Sequence, residues 1–210
     1  MIQTENLVFQ YKDLGSLLSF PNISVTENES LLILGKSGIG KTTLLHLLAG
    51  LLKPSKGKVI VENIDISLLS NSELDEFRGQ YIGLVFQKKY TIQSLSVFKN
   101  LQTRLFFSKK KVDNNKINNL LEELGIKHCI NSKVKELSEG QLQRLNIAMA
   151  VVHNPKIILA DEPTSSLDDE NCKIVIELLK KQAKQHKAKL IVITHDQRIK
   201  PFFQNKITLE

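Results

Sequence analysis

The stretch Ser30-Leu31-Leu32-Ile33-Leu34-Gly35-Lys36-Ser37-Gly38-Ile39-Gly40-Lys41-Thr42-Thr43 decides how this chain reads. Its first five residues are a short apolar run ending at a glycine, the pattern of a buried strand entering a loop. The next eight have the spacing G-x-x-x-x-G-K-[ST]. A helical pattern with a wide apolar face follows over Lys41 to Leu51, stopped by Leu52-Lys53-Pro54. Strand, glycine loop and helix in that order are the context in which this spacing cradles phosphate. Three glycines, Gly35, Gly38 and Gly40, let the backbone curl so that successive N–H groups point into one concavity. The loop Gly35, Lys36, Ser37, Gly38, Ile39, Gly40 is thus a candidate phosphate site, and the helix start adds its positive dipole end. Lys41 is placed to reach β- and γ-phosphates, Thr42 to offer a hydroxyl to Mg²⁺, and Thr43 to donate to an α-phosphate.

A second stretch supplies the other half. Ile157-Ile158-Leu159-Ala160-Asp161-Glu162 is an apolar strand ending in two adjacent carboxylates. Neighbours on a strand point to opposite faces, so the two acids diverge at its end. Asp161 is placed to hold Mg²⁺ through a water, and Glu162 to orient and polarise an attacking water.

Outward from these, residues 2–9 read as a strand, and Phe20, Ile23 and Val25 suggest a second. Tyr81 to Phe86 and Leu190 to Thr194 read as buried strands, Asp168 to His186 as an amphipathic helix, and Lys206 to Leu209 as a terminal strand. Residues 88–153 are Lys- and Asn-rich and mostly helical in period, with breaks near Ser108–Asp113 and Gly125. Strands alternating with helices predict an α/β protein with a largely parallel sheet, and the middle stretch reads as an inserted helical lobe. Lys109-Lys110-Lys111 reads as a solvated loop, with contact to an acidic lipid surface as its alternative.

Lys+Arg 29 against Asp+Glu 22 gives a net charge of +7, which favours an anionic partner without choosing among nucleotide, nucleic acid and lipid. The longest mostly apolar stretch, Leu44 to Leu52, is far short of the roughly 20 residues a membrane span needs. The N-terminus has no basic region followed by an apolar one, so no secretory signal is expected. Cys129 and Cys172 have no metal-ligand spacing and read as free thiols of a reducing cytosol.

Leu137-Ser138-Glu139-Gly140-Gln141 decides the subclass. It resembles the L-S-G-G-Q signature of ATP-binding cassette (ABC) ATPases, with Glu139 at its first glycine. The order of motifs is similar throughout the chain: the phosphate loop, Gln87 after Leu84-Val85-Phe86, the signature, Asp161-Glu162, Ser166-Leu167-Asp168 resembling the D-loop, and Thr194-His195-Asp196 resembling the switch histidine. Tyr11 resembles the aromatic that stacks on adenine, with Phe9 close by as the alternative.

The resemblance implies a P-loop ABC ATPase fold. Residues 1–86 and 154–210 would form the core, with an antiparallel N-terminal β part, and 87–153 the helical lobe. It implies ATP and Mg²⁺ as cofactors, with Thr42, Gln87 and Asp161 toward the metal and Glu162, His195 and Gln87 as catalytic residues. Tyr11, the loop Gly35 to Thr43, and Ser138, Gly140 and Gln141 would contact ATP. In this family the signature of one subunit covers the phosphate loop of another, so one loop and one signature per chain imply a head-to-tail dimer around two ATP. The resemblance, with no stretch long enough to span lipid, also implies a separate transmembrane permease as partner, no nucleic acid, and a cytoplasmic place on the inner face of the membrane. Phe77-Arg78, Ile82-Gly83-Leu84-Val85-Phe86-Gln87 and Glu136-Leu137-Ser138 are similar to lipoprotein-releasing, macrolide- or peptide-exporting and cell-division cassettes. Two rival classes remain open. One is a cassette acting on nucleic acid or the ribosome, and the other a regulatory nucleotide-binding protein whose hydrolysis Glu139 weakens.

Overall fold

The computed structural model describes residues 1–11, 17–87, 90–165 and 167–210. Strands β1 (Ile2–Gln10), β2 (Leu17–Ser19) and β3 (Ser24–Val25) open the chain, followed by β4 (Ser30–Leu34) and helix α1 (Lys41–Leu48). Next come β5 (Lys56–Val61), β6 (Ile64–Asp65), α2 (Asn71–Tyr81) and β7 (Ile82–Val85). Three helices follow, α3 (Val97–Phe107), α4 (Asn114–Glu123) and α5 (Glu139–Val151). The chain closes with β8 (Ile157–Asp161), α6 (Asp169–Gln185), β9 (Lys189–Thr194) and β10 (Asn205–Thr208).

The strands form two sheets. β1 pairs antiparallel with β2, β3 and β5, and β5 with β6. The second sheet has the order β10-β4-β9-β8-β7 and is parallel throughout. Its middle strands are buried on both faces, which explains why they read as unbroken apolar runs rather than alternations. Alternate residues feed two separate cores. Leu32, Leu34, Ile158, Ala160, Leu190 and Val192 pack with residues of α3, α4, α5 and α6. Leu31, Ile33, Ile157, Leu159, Ile191 and Ile193 pack with α1, α2 and the antiparallel sheet. Helix α5 lies so close to β7 that a Cβ on Gly83 would sit 2.2 Å from the Ala150 carbonyl oxygen, so only glycine fits there.

The sequence pattern and the structure differ at several element bounds. The expected second strand is broken, with Phe20 to Ile23 running between β2 and β3. Helix α1 stops at Leu48, short of Leu51, because Gly50 adopts φ +64°, the left-handed conformation that ends helices. Tyr81 closes α2 rather than opening β7, and the expected Asp168 and His186 are the caps of α6 rather than its first and last residues. Residues 56–80, for which the pattern predicts no element, hold β5, β6, a short 3-10 turn and all of α2 but its last residue. Both cysteines are buried free thiols.

Four strand ends meet at one edge of the parallel sheet. β4 leads into the glycine loop, β9 into His195, β8 into Glu162 and β7 toward Gln87. Open parallel sheets bind ligands at the carboxyl ends of their strands, and the glycine loop, Gln87, Asp161-Glu162 and His195 all follow such ends here.

Candidate active site

The glycine loop wraps back on its own lysine. Gly38 and Gly40 take φ +83° and +99°, conformations that other residues adopt only under strain, and Gly40 is the N-cap of α1. Lys41 is buried, and its Nζ donates to the carbonyls of Gly35 (2.9 Å) and Lys36 (3.0 Å). It also lies 3.6 Å from Glu162 Oε1. The loop is thus held closed around a cation by its own carbonyls.

Glu162 is the most densely held carboxylate of the site. Its backbone has φ +48°, a left-handed conformation that costs a non-glycine residue energy and clusters at functional sites. Thr194 Oγ1 donates to its Oε2 at 2.6 Å and the His195 backbone N–H to its Oε1 at 3.1 Å, while His195 Nδ1 sits 2.8 Å from the same Oε1. A cavity of about 270 Å³ is lined by Ser37, Gly38, Gly40, Lys41, Thr42, Thr43, Gln87, Glu162 and His195. The structure therefore brings Gln87, Glu162 and His195 to one cavity with Ser37, Gly38, Gly40, Lys41, Thr42 and Thr43, while Gly35, Lys36 and Ile39 of the loop do not line it.

Asp161 differs from its neighbour. Its Oδ2 accepts from Thr42 Oγ1 at 2.9 Å, but its Oδ1 is buried without a hydrogen-bond partner among the described residues. Burial is the largest influence on the carboxyl and pushes its pKa up. Asp161 does not itself line the cavity, but Thr42, which it bonds, and Gln87 both do. The orphaned carboxylate oxygen, the threonine hydroxyl and the glutamine amide oxygen are hard donors. That set fits a divalent cation such as Mg²⁺.

Phe9 and Tyr11 are not equivalent. Phe9 is 8% exposed and packed in the core, whereas Tyr11 is 36% exposed and meets Phe9 edge to face at 4.7 Å. Only Tyr11 offers a ring to solvent. Its hydroxyl lies 2.9 Å from Thr43 Oγ1, which places it at the start of α1.

The signature lies elsewhere in the chain. Ser138 caps α5, its Oγ accepting from the Gln141 N–H (3.3 Å) while Gln141 Oε1 accepts from the Ser138 N–H (2.9 Å). This reciprocal box fixes the helix start. Glu139 is the first helical residue, where a negative charge suits the helix dipole. None of Ser138, Gly140 and Gln141 lines the phosphate cavity. Asp168 is also outside it. It caps α6 by accepting from Asn171, and those bonds lower its pKa. Ser166 lies outside the described residues.

Sequence reasoning misses two connections. Gln143, buried on α5, donates from Nε2 to the Pro163 carbonyl at 2.9 Å and so ties the signature helix to the residue after Glu162. Arg198 grips both oxygens of Asp196 and also bonds Asp169 and the Leu167 carbonyl, while Thr164 donates to Asp196. The Arg198 bonds hold Asp196 down to about 2, so it is ionised at neutral pH. This network joins the segment after β8 to the segment after β9. Polar residues on a helix and in a loop carry no periodic signal, and only the fold shows what they bridge.

Gln143→Ala leaves the Pro163 carbonyl without its donor. Unfolding free energy should fall by about 1–3 kcal/mol, read by urea denaturation. A midpoint equal to that of the native chain would remove the tether.

The sequence matches the ABC transporter family over residues 18–165, more than half of its length. The chain belongs to the ABC transporter family. This ABC cassette is 33% identical over 204 residues to the lipoprotein-releasing system ATP-binding protein LolD of Legionella pneumophila (strain Lens), with 95% of this chain and 90% of that protein covered. It is 34% identical over 190 residues to the ABC transporter ATP-binding protein YtrE of Bacillus subtilis (strain 168), with 90% and 82% covered. Among solved structures it resembles the dimeric post-hydrolysis state of the ATP-binding cassette MJ0796 bound to ADP and Pi, at TM-score 0.89 and 32% identity. That match covers 100% of this chain and 94% of that one. The ABC cassette is thus an ATP-binding ATPase with a mixed antiparallel and parallel α/β fold, as the motifs predict. No helix among the described residues is long and apolar enough to cross a membrane.

Proposed function

We propose that this cassette is the ATP-hydrolysing subunit of an assembly in which a separate transmembrane permease does export, lipoprotein release or mechanical work across the membrane. One observation carries the reading. The phosphate cavity is lined by Lys41, Gln87, Glu162 and His195, yet none of Ser138, Gly140 and Gln141 lines it, and Ser138 is exposed. One chain therefore makes half a site. Two copies related by a two-fold axis place Ser138, Gly140 and Gln141 of each over the loop of the other, and the dimeric form of the related MJ0796 cassette supports this.

In this reading Tyr11 stacks on adenine. The backbone N–H groups of Gly35, Lys36, Ser37, Gly38, Ile39 and Gly40, with Thr43, hold the phosphates. Lys41 turns from its two carbonyls to the β- and γ-phosphates. Glu162 orients the attacking water, and His195 donates to the γ-phosphate. Thr42, Gln87 and, through water, Asp161 would hold Mg²⁺, which neutralises phosphate charge when bound. Asp168 belongs to the dimer face. Residues 87–153 form a lobe that moves against 1–86 and 154–210, with Gln87 at its hinge and the Gln143–Pro163 bond reporting the state of the cavity to α5.

The lobe and core also line a groove of about 740 Å³, with Leu51, Leu84, Phe86, Tyr90, Phe107 and Met149 on its apolar walls. A helix of the permease fits a groove of this character, and it would hold the cassette at the membrane surface. The name of the related LolD protein supports a lipoprotein-releasing or kindred system over the soluble rivals. A photocrosslinker placed at Tyr90 should form an adduct with a membrane-spanning protein in cells. Adducts confined to ribosomal proteins would instead establish the nucleic-acid class.

A further inference from the structure

Helix α3 ends in an exposed aromatic pair. Phe106 is 73% exposed and Phe107 69%, with their rings 5.5 Å apart, edge to face. The chain then turns through Ser108, Lys109, Lys110 and Lys111 to the exposed Val112 before Asp113 caps α4. The start of this turn is pinned. Ser108 is buried, and its Oγ donates to the Arg104 carbonyl at 2.8 Å. The N–H groups of Lys109 and Lys110 donate to the carbonyls of Phe106 and Leu105, each at 3.0 Å. Lys109 pairs with Glu76, whereas Lys110 and Lys111 have no carboxylate partner among the described residues.

A fixed turn that shows two aromatic rings, a valine and unpaired lysines to water has two unmet needs. Its rings gain from an apolar phase, and its lysines gain from negative charge. An acidic protein segment meets only the second. An anionic lipid surface meets both, because rings settle at the headgroup boundary while lysine stems reach out to the headgroup charges. The turn also sits beside the groove described above. Phe107 and Lys109 line that groove, and so does Tyr90, which is itself exposed.

We propose that the turn Phe106 to Val112 binds an anionic lipid surface directly. This goes beyond the function proposed above, in which only the permease brings the cassette to the membrane. Lipid contact here needs no permease.

Sedimentation of the full chain with phosphatidylcholine vesicles, with and without phosphatidylglycerol, tests it. The native chain should bind the phosphatidylglycerol vesicles and leave the neutral ones largely unbound. Lys110→Ser with Lys111→Ser should weaken binding about 25-fold, each lysine near such a surface being worth about fivefold. Phe106→Ser should weaken it about tenfold. Lys181→Ser with Lys184→Ser makes the same change of charge on exposed positions of α6 and should shift binding less than about twofold. Fluorescent ATP binding should be equal in all variants, which shows that they are folded and separates this result from the ATPase reading. An equal loss in the α6 variant would mean that overall basicity suffices and would overturn the proposal. So would undiminished binding in the Lys110/Lys111 variant, equal binding to neutral vesicles, or a native chain that stays with the supernatant.

Discussion

Lys41→Ala should weaken ATP binding by at least about a hundredfold, the equivalent of losing two hydrogen bonds to charged groups at about 1.5–3 kcal/mol each. The reason lies in what Lys41 does before nucleotide arrives. Its Nζ is buried, donates to the Gly35 and Lys36 carbonyls, and has Glu162 Oε1 at 3.6 Å. The lysine is thus already desolvated and aimed into the loop, so an arriving phosphate exchanges one set of acceptors for a stronger, charged set. Alanine removes the cation and leaves two loop carbonyls facing each other. Titration calorimetry with Mg-ATP reads the affinity. A thermal melt without nucleotide, unchanged to within a few degrees, shows that the loss is not unfolding. A dissociation constant within threefold of the native value would take the phosphate role away from Lys41.

The sequence makes this site legible to very different degrees. The loop from Gly35 to Thr42 is readable because glycine, lysine and threonine each have one job and a fixed spacing. The strand β8 is readable because burial on both faces leaves nothing but apolar residues before the two acids. Helix α2 has a low apolar content, yet Ser70 and Glu73 form a reciprocal capping box, a signal the sequence holds and the periodicity misses. β5 and β6 give only short runs beside a turn and take their place from pairing, β5 with β1 and β6 with β5. The choice between Phe9 and Tyr11 needed the fold, since alternation along β1 puts one ring inward and its neighbour's fate depends on where the strand stops. Gln143 and Arg198 could not be read at all. The Pro163 carbonyl is a backbone group 20 residues from Gln143, and Asp169 lies 29 residues from Arg198. Asp196 is only two residues from Arg198, yet no local pattern marks the link that Arg198 makes from it to Asp169.

Glu162→Gln should keep ATP binding and lower turnover by about 10²–10⁴-fold, the range typical of a positioned proton acceptor. The substitution is close to isosteric, and a glutamine carbonyl oxygen in the place of Oε2 can still accept from Thr194 Oγ1 and the His195 N–H, which reach that oxygen at 2.6 and 3.4 Å. What disappears is the charge. A carboxylate about 4 Å from a γ-phosphate charge is repelled by roughly 4 kcal/mol at an effective dielectric of 20. Removing it favours the nucleotide-bound state at both sites of a two-fold pair. The variant should therefore accumulate as a dimer in Mg-ATP, seen by analytical ultracentrifugation, while the native chain passes through that state and leaves it on hydrolysis. Combining Lys41→Ala with Glu162→Gln should return the protein to monomer, because the dimer is held by nucleotide rather than by the substitution itself. Native-like phosphate release from Glu162→Gln would remove Glu162 as the residue that orients water. A strictly monomeric Glu162→Gln chain at saturating Mg-ATP would remove the head-to-tail pair and leave Ser138, Gly140 and Gln141 without a nucleotide to cover.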